Sequence, residues 1–251
     1  MIELIDFSKE YYDFSHKNLI FSVDGISMKI QEGKITGLLG PNGSGKSTII
    51  KAICAQHYPT DGKIFISDNS GENKIDISQE PQKAANLIGY VPEQSVLPQE
   101  MTVYNFLEYA AAIHGFEGEK LKSAIEKTVE ECSLHKVLAK KIKTLSKGYK
   151  QRVSFAQAII HNPPNLIFDE PISGLDPAQI IQMRSLIKKM SESKAVLIST
   201  HILQEVSQLC SDIFILSEGK LLISGTEAVI KEKTGVSTLE EAFFKLTKGE
   251  R

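Results

Sequence analysis

The hydrophobic pattern opens with three strand-like runs, MIELIDF, ISMKI and KITGLLG. STIIKAICA then spaces its apolar positions as one face of a helix does. GKIFIS reads as a strand. The polar stretch Asp68 to Lys83, with Asn69, Gly71 and Pro81, predicts a hairpin tip or surface loop. NLIGYVPEQ predicts a buried strand ending in a turn.

From Thr102 to about Thr144 the pattern becomes helical. TVYNFLEYAAAIHG has Thr102 as its N-cap and ends at Gly115. In EKLKSAIEKTVEECSL, Leu121, Ile125, Val129 and Cys132 fall near helical spacing with charges between them. This block reads as a helical subdomain inserted into an α/β core. Beyond it, helix QRVSFAQAIIHN stops at Pro163-Pro164. Strand NLIFDE, helix PAQIIQMRSLIKKM, strand AVLIST, helix HILQEVSQLC and strand DIFILSEG follow. Strands alternating with helices predict a mostly parallel sheet. STLEEAFFKLTKGER carries a capping-box pattern, Thr238 to Glu241, ahead of a short helix.

The chain has 251 residues, enough for one large α/β domain or two lobes sharing a core. Apolar residues make up 41% and charged residues 24%, as in a globular protein. A net charge of -2 gives no global pull toward nucleic acid or an anionic membrane. Cys54, Cys132 and Cys210 lie far apart and read as reduced core residues rather than a metal site or disulfide frame. The first fourteen residues hold no apolar signal-peptide core, and no apolar run approaches membrane-helix length. A membrane process would need another chain to do the spanning.

The chemistry starts at GPNGSGKST, between a strand and a helix. It fits G-x-x-x-x-G-K-[ST], with Gly40, Pro41, Asn42, Gly43 and Ser44 leading to Gly45, Lys46, Ser47 and Thr48. The glycines let backbone N–H groups turn inward around phosphate oxygens, and the helix start adds its positive dipole end. Lys46 supplies a charge for the β- and γ-phosphates, and the Ser47 hydroxyl suits Mg²⁺.

NLIFDE ends an apolar strand in two acids, which are costly to bury unless they meet metal or water. Asp169 suits support of Mg²⁺, and Glu170 a general base for an attacking water. His201 ends AVLIST, and Gln94 follows IGYVPE with an amide oxygen able to reach Mg²⁺ or the water. Parallel sheets bind ligands at the carboxyl ends of their strands, so these residues are expected to converge on one edge. TLSKGYKQR is open to two readings: a solvated helix start with a basic face, or a phosphate-holding turn built on Ser146 and Gly148.

Taken in order, these segments resemble the ATP-binding cassette (ABC) ATPase family over nearly the whole chain. GPNGSGKST resembles its Walker A motif, YVPEQ its Q-loop, LSKGYKQR its signature motif, LIFDE its Walker B motif and SGLDP its D-loop. The His201 segment resembles its H-loop. The resemblance implies an α/β fold of the P-loop NTPase ABC type: a mostly parallel sheet, an antiparallel β subdomain and an inserted α-helical subdomain. Residues 1–95 and 160–230 would form the core with the β subdomain, 96–160 the helical subdomain, and 231–251 a short helical tail. ATP and Mg²⁺ are the implied ligands, bound between Walker A of one cassette and the signature motif of another.

By the resemblance, Lys46, Ser47 and Thr48 contact phosphate and Mg²⁺, Asp169 and Gln94 serve Mg²⁺, Glu170 is the catalytic base and His201 meets the γ-phosphate. Leu145, Ser146, Lys147, Gly148 and Tyr149 form the trans half-site, with Lys147 and Tyr149 standing where the family commonly has Gly and Gln. Asp176 links the two sites, or caps the helix opened by Pro177. Tyr11, by its place after Ser8-Lys9, is the aromatic for adenine, with Tyr12 beside it. Tyr104, Phe106 and Tyr109 line a groove for a partner's helix or pack in the core.

One cassette implies a second, identical or related. The resemblance is nearest to ABC-2-type exporter cassettes, including the gliding-motility and drug- or polysaccharide-export branches. It implies an ATPase at the cytoplasmic face of the membrane, bound to integral membrane permease subunits and not to nucleic acid. The alternative is a soluble ABC ATPase of a cytosolic assembly system such as iron–sulfur cluster building.

Overall fold

The computed structural model describes residues 1–13, 18–68 and 73–248. The chain opens with β1 (Ile2–Asp13) and β2 (Asn18–Ile30), continuous where the pattern marked two shorter runs. β3 (Ile35–Leu39), α1 (Lys46–Ile53) and β4 (Asp61–Ser67) follow. Of the predicted polar loop, residues 69–72, Asn69 and Gly71 among them, lie outside the described residues. The rest holds β5 (Lys74–Asp76) and the start of α2 (Pro81–Asn86) ahead of β6 (Ile88–Val91).

The helical block contains α3 (Val103–Ile113), α4 (Gly118–Glu131) and α5 (Lys147–Ile159). Then come β7 (Asn165–Asp169), α6 (Pro177–Ser191), β8 (Ala195–Thr200), α7 (Leu203–Leu209) and β9 (Asp212–Ser217). β10 (Lys220–Gly225), α8 (Glu227–Thr234) and α9 (Leu239–Lys248) complete it.

Two sheets carry the fold. One is antiparallel, in the order β2-β1-β4-β5. The other runs β10-β9-β3-β8-β7-β6, parallel except for the edge strand β10. Every residue of β3, β7 and β8 is buried, as a parallel sheet covered on both faces requires. On one face Leu38, Ile50, Ile167 and Leu197 pack toward Phe7 and Ile26 of the antiparallel sheet. On the other, Phe155 of α5 stacks on Phe168 of β7 at 4.5 Å between ring centroids. A third cluster seats α8 and α9 against Leu39, Ile213 and Ile215.

The sandwich puts the carboxyl ends of β3, β7 and β8 side by side, in register from Leu39↔Thr200 to Asp169↔Ser199. Cys132 is fully buried, whereas Cys54 and Cys210 are half-buried, and all three are free. Among the described residues no helix is long and apolar enough to cross a membrane. Phe106 packs in the core, while Tyr104 and Tyr109 are exposed on α3.

Candidate active site

The loop after β3 is shaped by close contacts that only glycine permits. A Cβ on Gly40 would collide with the Ser44 hydroxyl and the Leu216 carbonyl, and Gly45 has φ 102°. α1 starts at Lys46 with no side-chain cap, so its first N–H groups stay available to an anion. The Ser44 hydroxyl is buried and has no hydrogen-bond partner. Lys46 turns its ammonium back onto the Gly40 and Pro41 carbonyls, at 2.7 and 3.0 Å. Burial lowers its pKa, and the carboxylates of Glu170, Asp169 and Glu93 act against that. The helix-start N–H groups and the Ser44 hydroxyl, donors without acceptors, together with the Lys46 charge fit a polyphosphate.

Pro41, Asn42, Gly43 and Ser47 are exposed. The Thr48 hydroxyl is 2.7 Å from that of Ser22 in β2, which ties the antiparallel sheet to the loop.

Asp169 ends β7 and Glu170 follows it, with 9% and 8% exposure. Burial pushes the Asp169 carboxyl above its usual range, reinforced by Glu170 and Glu93. The Ser199 hydroxyl beside it and Lys46 pull the other way, although the Ser199 hydroxyl falls short of hydrogen-bond geometry. Glu170 adopts φ 49°, held by its N–H on the Ser199 carbonyl at 2.9 Å. Its Oε1 accepts the His201 N–H at 3.1 Å and meets His201 Nδ1 at 2.6 Å. Its Oε2 accepts the Thr200 hydroxyl at 3.3 Å. The structure thus joins Glu170 and His201 directly, two residues that their separate strand ends suggested only as neighbours.

Gln94 is exposed in the loop after β6. The adjacent Glu93 is the residue whose charge reaches Lys46, Asp169 and Tyr90. Sequence reasoning passed over Glu93, as it did Ser22 and Thr200, because strand-end position alone does not rank neighbouring polar residues. Among the described residues no trio of His, Cys, Asp and Glu is set to hold a metal. A hydroxyl such as Ser47 with Asp169 offers the hard oxygen donors that Mg²⁺ takes alongside phosphate and water.

On the helical block, α5 begins at Lys147, four residues before the predicted Gln151, with Ser146 as N-cap. Leu145 is buried below it, and Tyr149 is half-buried against the core. A Cβ on Gly148 would run into the Gln179 amide, and the Lys147 ammonium lies where a Cβ on Gly174 would sit. Asp176 caps α6 by accepting the Gln179 N–H at 2.9 Å. The starts of α5 and α6 therefore adjoin, beside a cleft of about 790 Å³ lined by Ser146, Gly148, Tyr149 and Gln179. Another cleft, of about 690 Å³ between α4, α5 and α6, carries none of these residues.

Tyr11 and Tyr12 are 45% and 49% exposed, in register with Ile20 and Leu19. The Tyr11 ring meets His57 edge-on at 6.0 Å and lies 5.4 Å from the Lys9 ammonium.

The family described as ABC transporter matches residues 23–173. The chain is 34% identical over 220 residues to the uncharacterized ABC transporter ATP-binding protein YxlF of Bacillus subtilis, covering 87% of this chain and 71% of that one. It is 32% identical to the cholesterol transporter ABCA5 of Rattus norvegicus over 93% of this chain, but spans only 14% of that protein. Among solved structures, one described as the ATP binding subunit of an ABC transporter superposes with TM-score 0.85 at 28% identity, covering 98% and 99% of the two chains. The dimeric structure of MJ0796, a bacterial ABC transporter cassette, gives 0.77 at 27% identity, covering 90% and 98%.

Proposed function

The chain belongs to the ABC transporter family as an ATP-binding cassette, and from that premise we propose that it hydrolyses ATP at the Gly40–Thr48 loop to drive membrane transport, in the manner of an exporter. The observation that carries the reading is the meeting of Lys46, Asp169, Glu170 and His201 at one sheet edge, under an uncapped helix start.

The loop N–H groups and Lys46 bind the phosphates. Lys46 exchanges its two carbonyl partners for phosphate oxygens. Tyr11 takes the adenine. It pairs with Ile20 of β2, two residues from Ser22, and Ser22 reaches Thr48 beside the loop. Mg²⁺, when bound, offsets phosphate charge, with Ser47, Asp169 and either Gln94 or its neighbour Glu93 as its protein donors. Glu170 accepts a proton from water as the water oxygen bonds to the γ-phosphorus and the bond to the ADP oxygen breaks. His201 holds Glu170 Oε1 through Nδ1, which leaves Nε2 to meet the γ-phosphate.

Ser146 and Gly148 complete the site of a second cassette, identical or related, and Asp176 conveys its state across the pair. Segment 96–160 acts as the lobe that carries Ser146 and Gly148. Exposed Tyr104, Tyr109 and Ile113 of α3 support contact with an integral membrane partner at the cytoplasmic face. The relatives, named as transporter proteins, lend no support to a cytosolic assembly role. Purification of the full chain from membranes tests this: a multi-span protein in stoichiometric amount supports transport, and a chain recovered wholly with a soluble assembly contradicts it.

A further inference from the structure

α7 sets one more carboxyl behind the strand-end acids. Glu205 is 3% exposed, and its Oε2 is buried without a hydrogen-bond partner. Alongside it stands the fully buried Thr200, near enough to act on the Glu205 carboxyl although no hydrogen bond joins the two side chains as they stand. The Thr200 hydroxyl has one hydrogen, which points to Glu170 Oε2 at 3.3 Å, while its oxygen accepts the Ile202 N–H at 3.1 Å. One lone pair of that oxygen is left, and only a donor satisfies it. A neutral Glu205 is such a donor. An ionised Glu205 would instead take the Thr200 hydrogen away from Glu170.

We propose that Glu205 is a positioning residue that orients the Glu170 carboxylate through the Thr200 hydroxyl. The proposal rests on the reading of Glu170 as the base. Burial, foremost, pushes the Glu205 carboxyl up to about 7, with Glu170 adding to the rise. Thr200, Arg184 of α6 and His201 oppose it. Arg184 Nε is buried without a partner, so an ionised Glu205 has a cation to turn to. The Cys210 thiol at the far end of α7 also feels the Glu205 charge. With Glu205 neutral, Glu170 is held on both sides, by His201 at Oε1 and by the backed Thr200 at Oε2. Loosening one side lets the carboxylate turn, which costs rate and leaves nucleotide binding unchanged.

Steady-state ATP hydrolysis by the full chain, in the assembly it co-purifies with, tests this. Glu205→Ala should lower kcat about tenfold, with KM for ATP within about twofold. Glu205→Gln, whose amide still donates to Thr200, should stay within about threefold of wild type. In a Thr200→Val background, Glu205→Ala should cost nothing further. If Glu205→Ala does not fold, Glu205→Met fills its place without a donor and carries the same expectation. Wild-type kcat in the alanine or methionine variant overturns the proposal. So do equal losses in the alanine and glutamine variants, or additive losses with Thr200→Val. Glu170→Gln, run in parallel, separates the failures. If it is slow beside a normal Glu205→Ala, only the positioning falls. If it turns over normally, the assignment of the base falls and takes the positioning with it.

Discussion

Glu170 sits in the left-handed region at φ 49°, at a cost of about 1–2 kcal/mol for a side-chain-bearing residue. Its N–H on Ser199 and its carboxylate on His201 and Thr200 over-determine that conformation. Glu205 behind them makes stability depend on pH. Its folded-state pKa of about 7 lies above the ordinary 4.5, so between those values the folded chain binds more protons than the unfolded one. The stability it contributes is present below about 4.5 and lost as pH rises toward 7, by about 3 kcal/mol. His161, lowered to about 4 by burial, works in the opposite direction over a similar range. The quantity to measure is therefore the difference between wild type and Glu205→Gln in urea unfolding. That difference should shrink by about 3 kcal/mol from about pH 5 to about pH 8, and a constant difference would refute the buried neutral acid. Gly40, Glu170 and His201 are legible in the sequence because each follows an apolar strand. Glu205 is not, since a polar residue within a short amphipathic helix reads as solvent-facing until β3 and β8 are seen to cover it.

At the scale of elements, the sequence shows helices best where their caps are spelled out. Thr238 and Glu241 form the expected box: the Glu241 N–H reaches Thr238 Oγ1 at 3.1 Å, and Glu241 Oε2 accepts the Thr238 N–H at 3.1 Å. α8 carries the same punctuation, with Thr226 as N-cap and Gly235 closing it at φ 69°, and that pair of signals could have revealed it. β10 escaped notice for another reason. Its hairpin turns on Glu218-Gly219, with φ 48° and 76°, a two-residue turn that asparagine or aspartate would have announced more clearly than glutamate does. Caps also separate structural from functional roles. Thr238→Ala should cost about 1 kcal/mol of stability and leave ATP turnover intact. Ser146→Ala should cost less stability, because the Ser146 hydroxyl is 3.5 Å from the Tyr149 nitrogen, yet depress turnover more. Paired thermal melts and ATPase assays read both, and the reverse ranking would return Ser146 to a purely structural cap.

For the whole molecule, the parallel sheet collects the phosphate loop and the strand-end acids on one edge. Elsewhere the starts of α5 and α6 adjoin, where Gly148 meets Gln179 and Lys147 meets Gly174, and this brings the caps Ser146 and Asp176 into one region. The order of motifs made the gathering of strand ends on one edge readable, whereas the pairing of Glu170 with His201 required the register of β7 on β8. If two cassettes share each nucleotide, Ser146→Arg should bind ATP but not pair with a second cassette, and pairing of that variant under Mg·ATP in light scattering would dismiss the shared site. The central claim is that this edge hydrolyses ATP with Glu170 as the base. Phosphate release from Mg·ATP tests it most directly, in wild type beside Lys46→Ala and Glu170→Gln. The account predicts release by wild type and almost none by Lys46→Ala. Glu170→Gln should retain bound ATP yet release phosphate at least about a hundredfold more slowly. Release by Glu170→Gln at the wild-type rate would contradict it.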